Sequence, residues 1–389
     1  MPDATPDIEK TLGRLVQSYA WLAIPVMVAL FFAWKIRAEL RAEAPALTGE
    51  AAKSAVMEQL NSADAKIRYQ ACQTLGSMDH PPAEALPTVA GLLKDPAENV
   101  RGSCGWAVGR YGSAAREALP ILISMLRDPS SFARLTAAES LGAIASRVPE
   151  DTQAVPALME AMHDKDDQVR RFAAGALNSM GDRAAPAIPI LLAALNDHPA
   201  KDPVEVRAQV VQTLGSLAPK SNDIVPALTG ALRDSDKSVR LRALDALGIA
   251  GKLAHPAIPA VGKMIHDPDE QIRGAAVAAL GKCCADTDET VPYLIDALRD
   301  RVVDVRKVAV FHLGEMGPKA KAAVPALIPV LSDSEDFLRP WAAEALGNMG
   351  PEAKAALPQL HQILSKSVVT GESGGLQEAV QQAIRKIES

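Results

Sequence analysis

Aromatic residues make up only 4% of this 389-residue chain. A core with so few rings must be built from Ala, Leu, Val and Met, which suits short helices packed closely. Positive charge is also scarce: 41 Lys and Arg stand against 47 Asp and Glu, a formal net charge of −6. A general nucleic-acid binder carries a basic surplus, so the charge argues against that class. Four cysteines form no Cys-x-x-Cys, and the adjacent Cys283 and Cys284 make a poor metal pair. Cys72 and Cys104 occupy positions where related segments carry Ala, so they are expected as thiols acting as small hydrophobes, which suggests a reducing compartment. None of the seven His is followed by Glu, and Glu160-x-x-His163 is half of a carboxylate-bridged metal site without its second half. There is no phosphate loop, dinucleotide fingerprint or Gly-x-Ser-x-Gly elbow. Catalytic residues, cofactors and metal ligands are therefore expected to be none.

What the chain has is repetition. Residues 318–350 read as two short helices joined by a turn. Val324, Leu327, Ile328 and Leu331 share one helical face; Leu338, Ala342, Ala345, Leu346 and Met349 share another. Asp333 stands at the expected N-cap of the second helix, and Gly347 and Gly350 are expected to let the chain turn back. The same unit recurs along the chain. An Arg one residue into the second helix appears as Arg68, Arg101, Arg134, Arg170, Arg207, Arg240, Arg273, Arg306 and Arg339. The cap Asp runs Asp95, Asp128, Asp164, Asp197, Asp234, Asp267, Asp300 and Asp333, and a first-helix Pro runs from Pro87 to Pro358. The Arg spacing is 33 residues except for 36 and 37 at two insertions, around 146–153 and 198–203. A fixed period of this length means a solenoid, because one hairpin cannot bury its apolar face alone. Arg and Asp at one place in every repeat are expected to join neighbouring repeats and satisfy turn carbonyls rather than form an active site.

With its Val-Pro-x-Leu first helix and Asp-x-x-x-x-Val-Arg-x-x-Ala-Ala-x-Ala-Leu-Gly second half, the chain resembles HEAT repeats. It is most similar to the short HEAT-like class of phycobilisome lyases. The resemblance spans residues 50–388 and implies an all-α, right-handed α-solenoid of about ten helical hairpins. It also implies that the second helices line the concave side. The missing His-Glu pairs exclude a di-iron HEAT-repeat hydroxylase as a model.

Ahead of the solenoid, residues 1–14 read as a polar tail and 38–49 as a linker. Residues 15–37 are expected to form a transmembrane helix preceding the solenoid, since no charge occurs from Tyr19 to Trp34 and aromatic residues flank the run. A cleaved signal peptide and a buried helix are the alternatives; the lack of a small-x-small site closing the run favours an uncleaved anchor. Lys35, Arg37 and Arg41 after the segment tilt the solenoid, residues 50–389, toward a cytoplasmic location. The last repeat is expected to carry a loop at 366–375 and a capping helix over 376–388.

Residues that break the repeat are the informative ones. Two and six places after the ladder hydrophobe, a second-helix side chain points away from the apolar face. Most repeats place small or polar residues there, but Tyr69, Trp106 and Phe311 are exceptions, with Phe172 and Trp341 on the flank. Arg110, Arg171 and Arg242 lie beside them. Exposed aromatics flanked by Arg suit a partner groove, while packing between repeats is the alternative at Trp106 and Phe311. The expected function is a membrane-anchored scaffold that binds a protein or peptide on its concave face, without catalysis. A lyase-like enzyme or chaperone handling a tetrapyrrole-bearing protein is the alternative implied by the resemblance.

Overall fold

The computed structural model describes residues 50–197, 203–283, 288–370 and 375–389. Among them every regular element is helical. The chain divides into two compact units, Met1–Ser62 and Ala63–Ser389. In the first, the described residues form one helix, Glu50–Leu60. The second is a stack of helical hairpins. Its longer helices, numbered in chain order, are α1 (Ala65–Ser77), α2 (Glu98–Gly109), α3 (Ser131–Ala145), α4 (Asp167–Ser179) and α5 (Val204–Leu217). They continue as α6 (Lys237–Ala250), α7 (Glu270–Cys283), α8 (Val303–Met316), α9 (Leu338–Asn348) and α10 (Gly375–Glu388). Shorter helices such as Leu119–Met125 and Val324–Val330 complete the hairpins, with the ladder proline in the first turn, where its missing N–H costs nothing.

The stack is held at two rows of small residues. Successive long helices pack directly on one another, whereas the short helices mainly touch the long helix of their own hairpin. The long helices α1–α10 thus form one continuous layer, the one that the HEAT resemblance places on the inner side. Close approach is set by Gly109, Gly142, Gly215 and Gly314. A Cβ on each would come within 3.1 Å or less of Ser140, Ala176, Ala246 and Ala345 on the next helix. Ser140 and Thr213 add hydroxyl bonds across the seam, to the carbonyls of Gly105 (2.7 Å) and Ala174 (2.9 Å). Such bonds satisfy polar groups that burial would otherwise orphan.

Several expectations are corrected. No helix among the described residues is long and apolar enough to cross a membrane. That finding overturns the transmembrane helix as part of the fold, and with it the single-pass membrane location; residues 15–37, where it was expected, lie outside the described residues. Gly347 does not turn the chain. It sits inside α9, where its Cβ would lie 2.8 Å from Ala383 Cα, and only Gly350, at φ 62°, adopts the left-handed backbone that a turn here requires. Asp333 is not the N-cap of α9: its carboxylate accepts the Glu335 N–H at 3.0 Å in the turn before the helix, which Phe337 caps without a side-chain bond. The expected loop from Lys366 is helical as far as Thr370. Cys72 and Cys104 are joined in a disulfide between α1 and α2, with their Cα atoms 4.9 Å apart. Facing small positions on adjacent inner helices come that close because the seam is built for small residues. Cys283 is buried, its thiol 3.7 Å from the Leu280 carbonyl, and Cys284 lies outside the described residues.

Candidate functional site

The ladders bind repeat to repeat. Six ladder arginines reach forward to the Asp of the next turn. Arg101 donates Nε and Nη2 to the Asp128 carboxylate at 2.7 and 2.8 Å, and Nη1 to the Asp95 carbonyl at 2.9 Å. The same fork joins Arg68 to Asp95, Arg134 to Asp164, Arg207 to Asp234, Arg273 to Asp300 and Arg306 to Asp333. Planar two-point pairing is what a guanidinium offers a carboxylate. The Arg101 guanidinium holds the Asp128 carboxyl below the usual carboxylate range. Burial would raise Asp95, Asp164, Asp234, Asp300 and Asp333, but the Arg and a turn N–H outweigh it, so these too are held low. The rungs are not equal. Arg240 Nε lies 4.0 Å from Asp267 and is buried without a hydrogen-bond partner among the described residues. Arg170 gives Nη1 to the Asp164 carbonyl at 2.7 Å, while the side chain of Asp197 lies outside the described residues. Arg339, in the last rung position, bonds the Asp333 carbonyl at 2.7 Å and Asp336 at 2.8 Å.

The candidate partner residues fall into three groups along the inner face. At the amino-terminal end Tyr69 is half-buried, and Trp106 lies against Gly76: a Cβ at that glycine would fall 2.2 Å from the indole. Trp106 is thus seated in the seam between α1 and α2. In the middle, the Arg171 guanidinium stands 4.8 Å over the Phe172 ring. Burial raises the Glu139 carboxyl, against the opposing pull of Arg110 and Arg171. Arg242 is committed to Gln212 by a hydrogen bond to its Oε1. These arginines therefore already serve neighbouring side chains.

The third group is different. Phe311 on α8 is 46% exposed and Trp341 on α9 is 37% exposed, with their ring centroids 6.1 Å apart. Two residues not singled out from the sequence join them. Phe337 is 46% exposed, and Lys307 holds its ammonium 5.0 Å over the Trp341 ring and 6.0 Å over that of Phe337. Lys307 was within reach of a spacing argument, since it precedes Phe311 on α8 by one helical turn; Phe337 lies in the turn just before α9. Beneath them His312 covers Gly281, where a Cβ would meet the imidazole at 2.0 Å. Burial, with a smaller push from Lys282, lowers His312 to about 4. The imidazole is neutral near pH 7 and faces Phe311 edge-on at 5.1 Å. Among the described residues no three His, Cys, Asp or Glu side chains gather as metal ligands.

A family model for HEAT repeats matches residues 54–142, 120–204, 200–281 and 291–384. The chain belongs to the HEAT repeat family. Among solved structures it is similar to an engineered protein (TM-score 0.58, 21% identity, 87% of this chain and 99% of that one). It is also similar to importin beta, at TM-score 0.60 and 17% identity, over 86% of this chain and 50% of that one. At these identities the likeness shows the fold, and the chain spans half the length of importin beta. No curated protein matches. The match is to HEAT repeats in general and does not support the finer phycobilisome-lyase class. The HEAT solenoid is typical of protein-interaction scaffolds.

Proposed function

We propose that this HEAT-repeat chain is a non-enzymatic scaffold that docks a protein or peptide on its inner face, at Phe311, Phe337 and Trp341. The observation that carries the reading is the exposed aromatic cluster on α8 and α9, with Lys307 drawn over two of its rings. At the position of Phe311 other repeats carry Gln73, Glu139, Gln212 or Ala278, so a large ring there is not needed for a repeat to fold. Covering them recovers roughly 25 cal/mol per Å² of apolar surface, and aromatic clusters are where interface energy concentrates. Tyr69, Phe172 and the half-committed arginines Arg110, Arg171 and Arg242 extend the docking track toward the amino-terminal end. The test is affinity enrichment with the parent chain and with the Phe311→Ala/Trp341→Ala variant, read by quantitative mass spectrometry. A partner retained by the parent, lost by the variant, and lost without a change in circular dichroism is the expected result. Equal recovery by both chains would place docking elsewhere.

A further inference from the structure

Trp341 has two neighbourhoods. Toward α8 it meets Phe311 and the Lys307 ammonium. Toward α10 it forms one wall of a groove of about 240 Å³, lined also by Glu344, Gly347, Glu378, Gln382 and Lys386. The floor is the closest approach of the two helices, where Gly347 meets Ala383. Two carboxylates and one ammonium line this space, and the ammonium is engaged: Lys386 Nζ donates to Asn348 Oδ1 at 2.8 Å. Gln382 donates to Glu378 at 3.5 Å. The Trp341 indole, two exposed carboxylates and a lysine already engaged make a setting that favours a cation and penalises an anion.

We propose that the groove between α9 and α10 takes a basic side chain, an arginine above all, of the peptide segment that docks on the aromatic cluster. This rests on the docking reading above and adds the chemistry of the partner. The planar guanidinium stacks on Trp341 while its N–H groups reach Glu344 and Glu378. The segment's apolar residues cover Phe311 and Phe337. The partner is therefore a protein segment with Arg close to large apolar residues, not an acidic one.

Three fluorescein-labelled pools of short peptides test this. They share one apolar composition and carry Arg, citrulline or Glu at the polar positions. Binding to the full chain is read by anisotropy at low and physiological salt. The Arg pool should bind roughly tenfold tighter than the citrulline pool, as partly exposed charge pairs allow, and lose that margin as salt rises. Glu344→Gln/Glu378→Gln should erase the preference, while Trp341→Ala should weaken every pool. Equal affinity for all three pools, or an Arg preference that survives the double Gln change, overturns the proposal. No measurable binding of the Arg pool overturns it as well. If the pools bind equally but still depend on Trp341, the basic-partner inference falls and the docking reading stands. If binding ignores Trp341, both fall.

Discussion

Trp106 and Phe311 stand at the same place in their repeats, six residues after the ladder hydrophobe, yet one is packed and the other is not. Trp106 lies over Gly76 of the preceding inner helix; Phe311 is nearly half exposed. The difference lies one residue on. After Trp106 comes Ala107, which is small and leaves the glycine seat empty for the indole. After Phe311 comes His312, which takes the corresponding seat over Gly281 itself. With the seat filled, Phe311 has nowhere to go but outward. A repeat position thus has no fixed fate; its neighbour in the seam decides whether a ring stabilises the stack or is offered to a partner.

The two ends also differ in covalent reinforcement, and removing it has the largest expected effect. The Cys72–Cys104 bond closes a loop across a sequence separation of 32. Loop-closure entropy for that length is worth about 3.7 kcal/mol. Reduction, or Cys72→Ser/Cys104→Ser, should lower the denaturant midpoint, and hydrogen exchange should rise in α1 and α2 while α8 and α9 stay protected, as nearest-neighbour stacking requires. An unchanged midpoint after complete reduction would mean that the bond adds nothing to this end.

Next in size is the indole. Trp106→Ala empties a seat that only a large ring fills, and should cost about 3 kcal/mol. Phe311→Ala removes a ring that is half in water and should stay within about 1 kcal/mol of the parent. Thermal melts of the two variants side by side decide it; equal losses would erase the distinction between the two seams.

Acid should separate the seams by a further, smaller margin. His312 binds its proton at about 4 when folded and near 6.5 when unfolded, because burial disfavours the imidazolium. Between those values the unfolded chain holds more protons, so stability falls as pH drops from 6.5 toward 4. At pH 5 the loss amounts to about 2 kcal/mol. His312→Gln should remove that part of the acid dependence. The depressed carboxylates of the Arg–Asp ladder add their own loss as pH falls through their folded pKa values, in both parent and variant. If the parent and His312→Gln lose stability equally between pH 7 and 5, the imidazole is not buried as described.

The ladder, the period and the hairpins were legible because each repeat states them again, and a residue such as Arg134 is read nine times over. The closing helix α10 buries Val380, Ala383, Ile384 and Ile387, the register its apolar spacing gives. What single-repeat reading missed were pairings between repeats. Cys72 and Cys104 are 32 residues apart, one short of the period, so they face each other on adjacent helices. Gly347 looked like a turn residue beside Gly350, since only the neighbouring helix reveals that its missing Cβ is a contact. Trp106 and Phe311 were indistinguishable by position, because their fates rest on Ala107 and His312 and on glycines thirty residues away. Phe337 was overlooked because it lies in the turn before α9 rather than on a helical face.

The smallest expected effect comes from exchanging the two outcomes. His312→Ala should free the seat over Gly281 and give the α7–α8 seam the arrangement that Ala107 permits at the other end. Phe311 then has the place that Trp106 occupies over Gly76. The variant loses the packing of a buried imidazole and gains that of a phenyl ring, two opposing terms of similar size. Its net stability near pH 7 should therefore lie within about 1 kcal/mol of the parent, as shape-conserving core changes do. The surface, however, changes: with Phe311 folded inward, Trp341 loses the ring 6.1 Å away and the cluster loses one of its anchors. Hydroxyl-radical footprinting should show Phe311 less labelled than in the parent, and affinity for the Arg peptide pool should drop severalfold, in the direction of Phe311→Ala. If Phe311 is labelled as heavily as before, the imidazole is not what keeps it out, and Ala107 is not what lets Trp106 in.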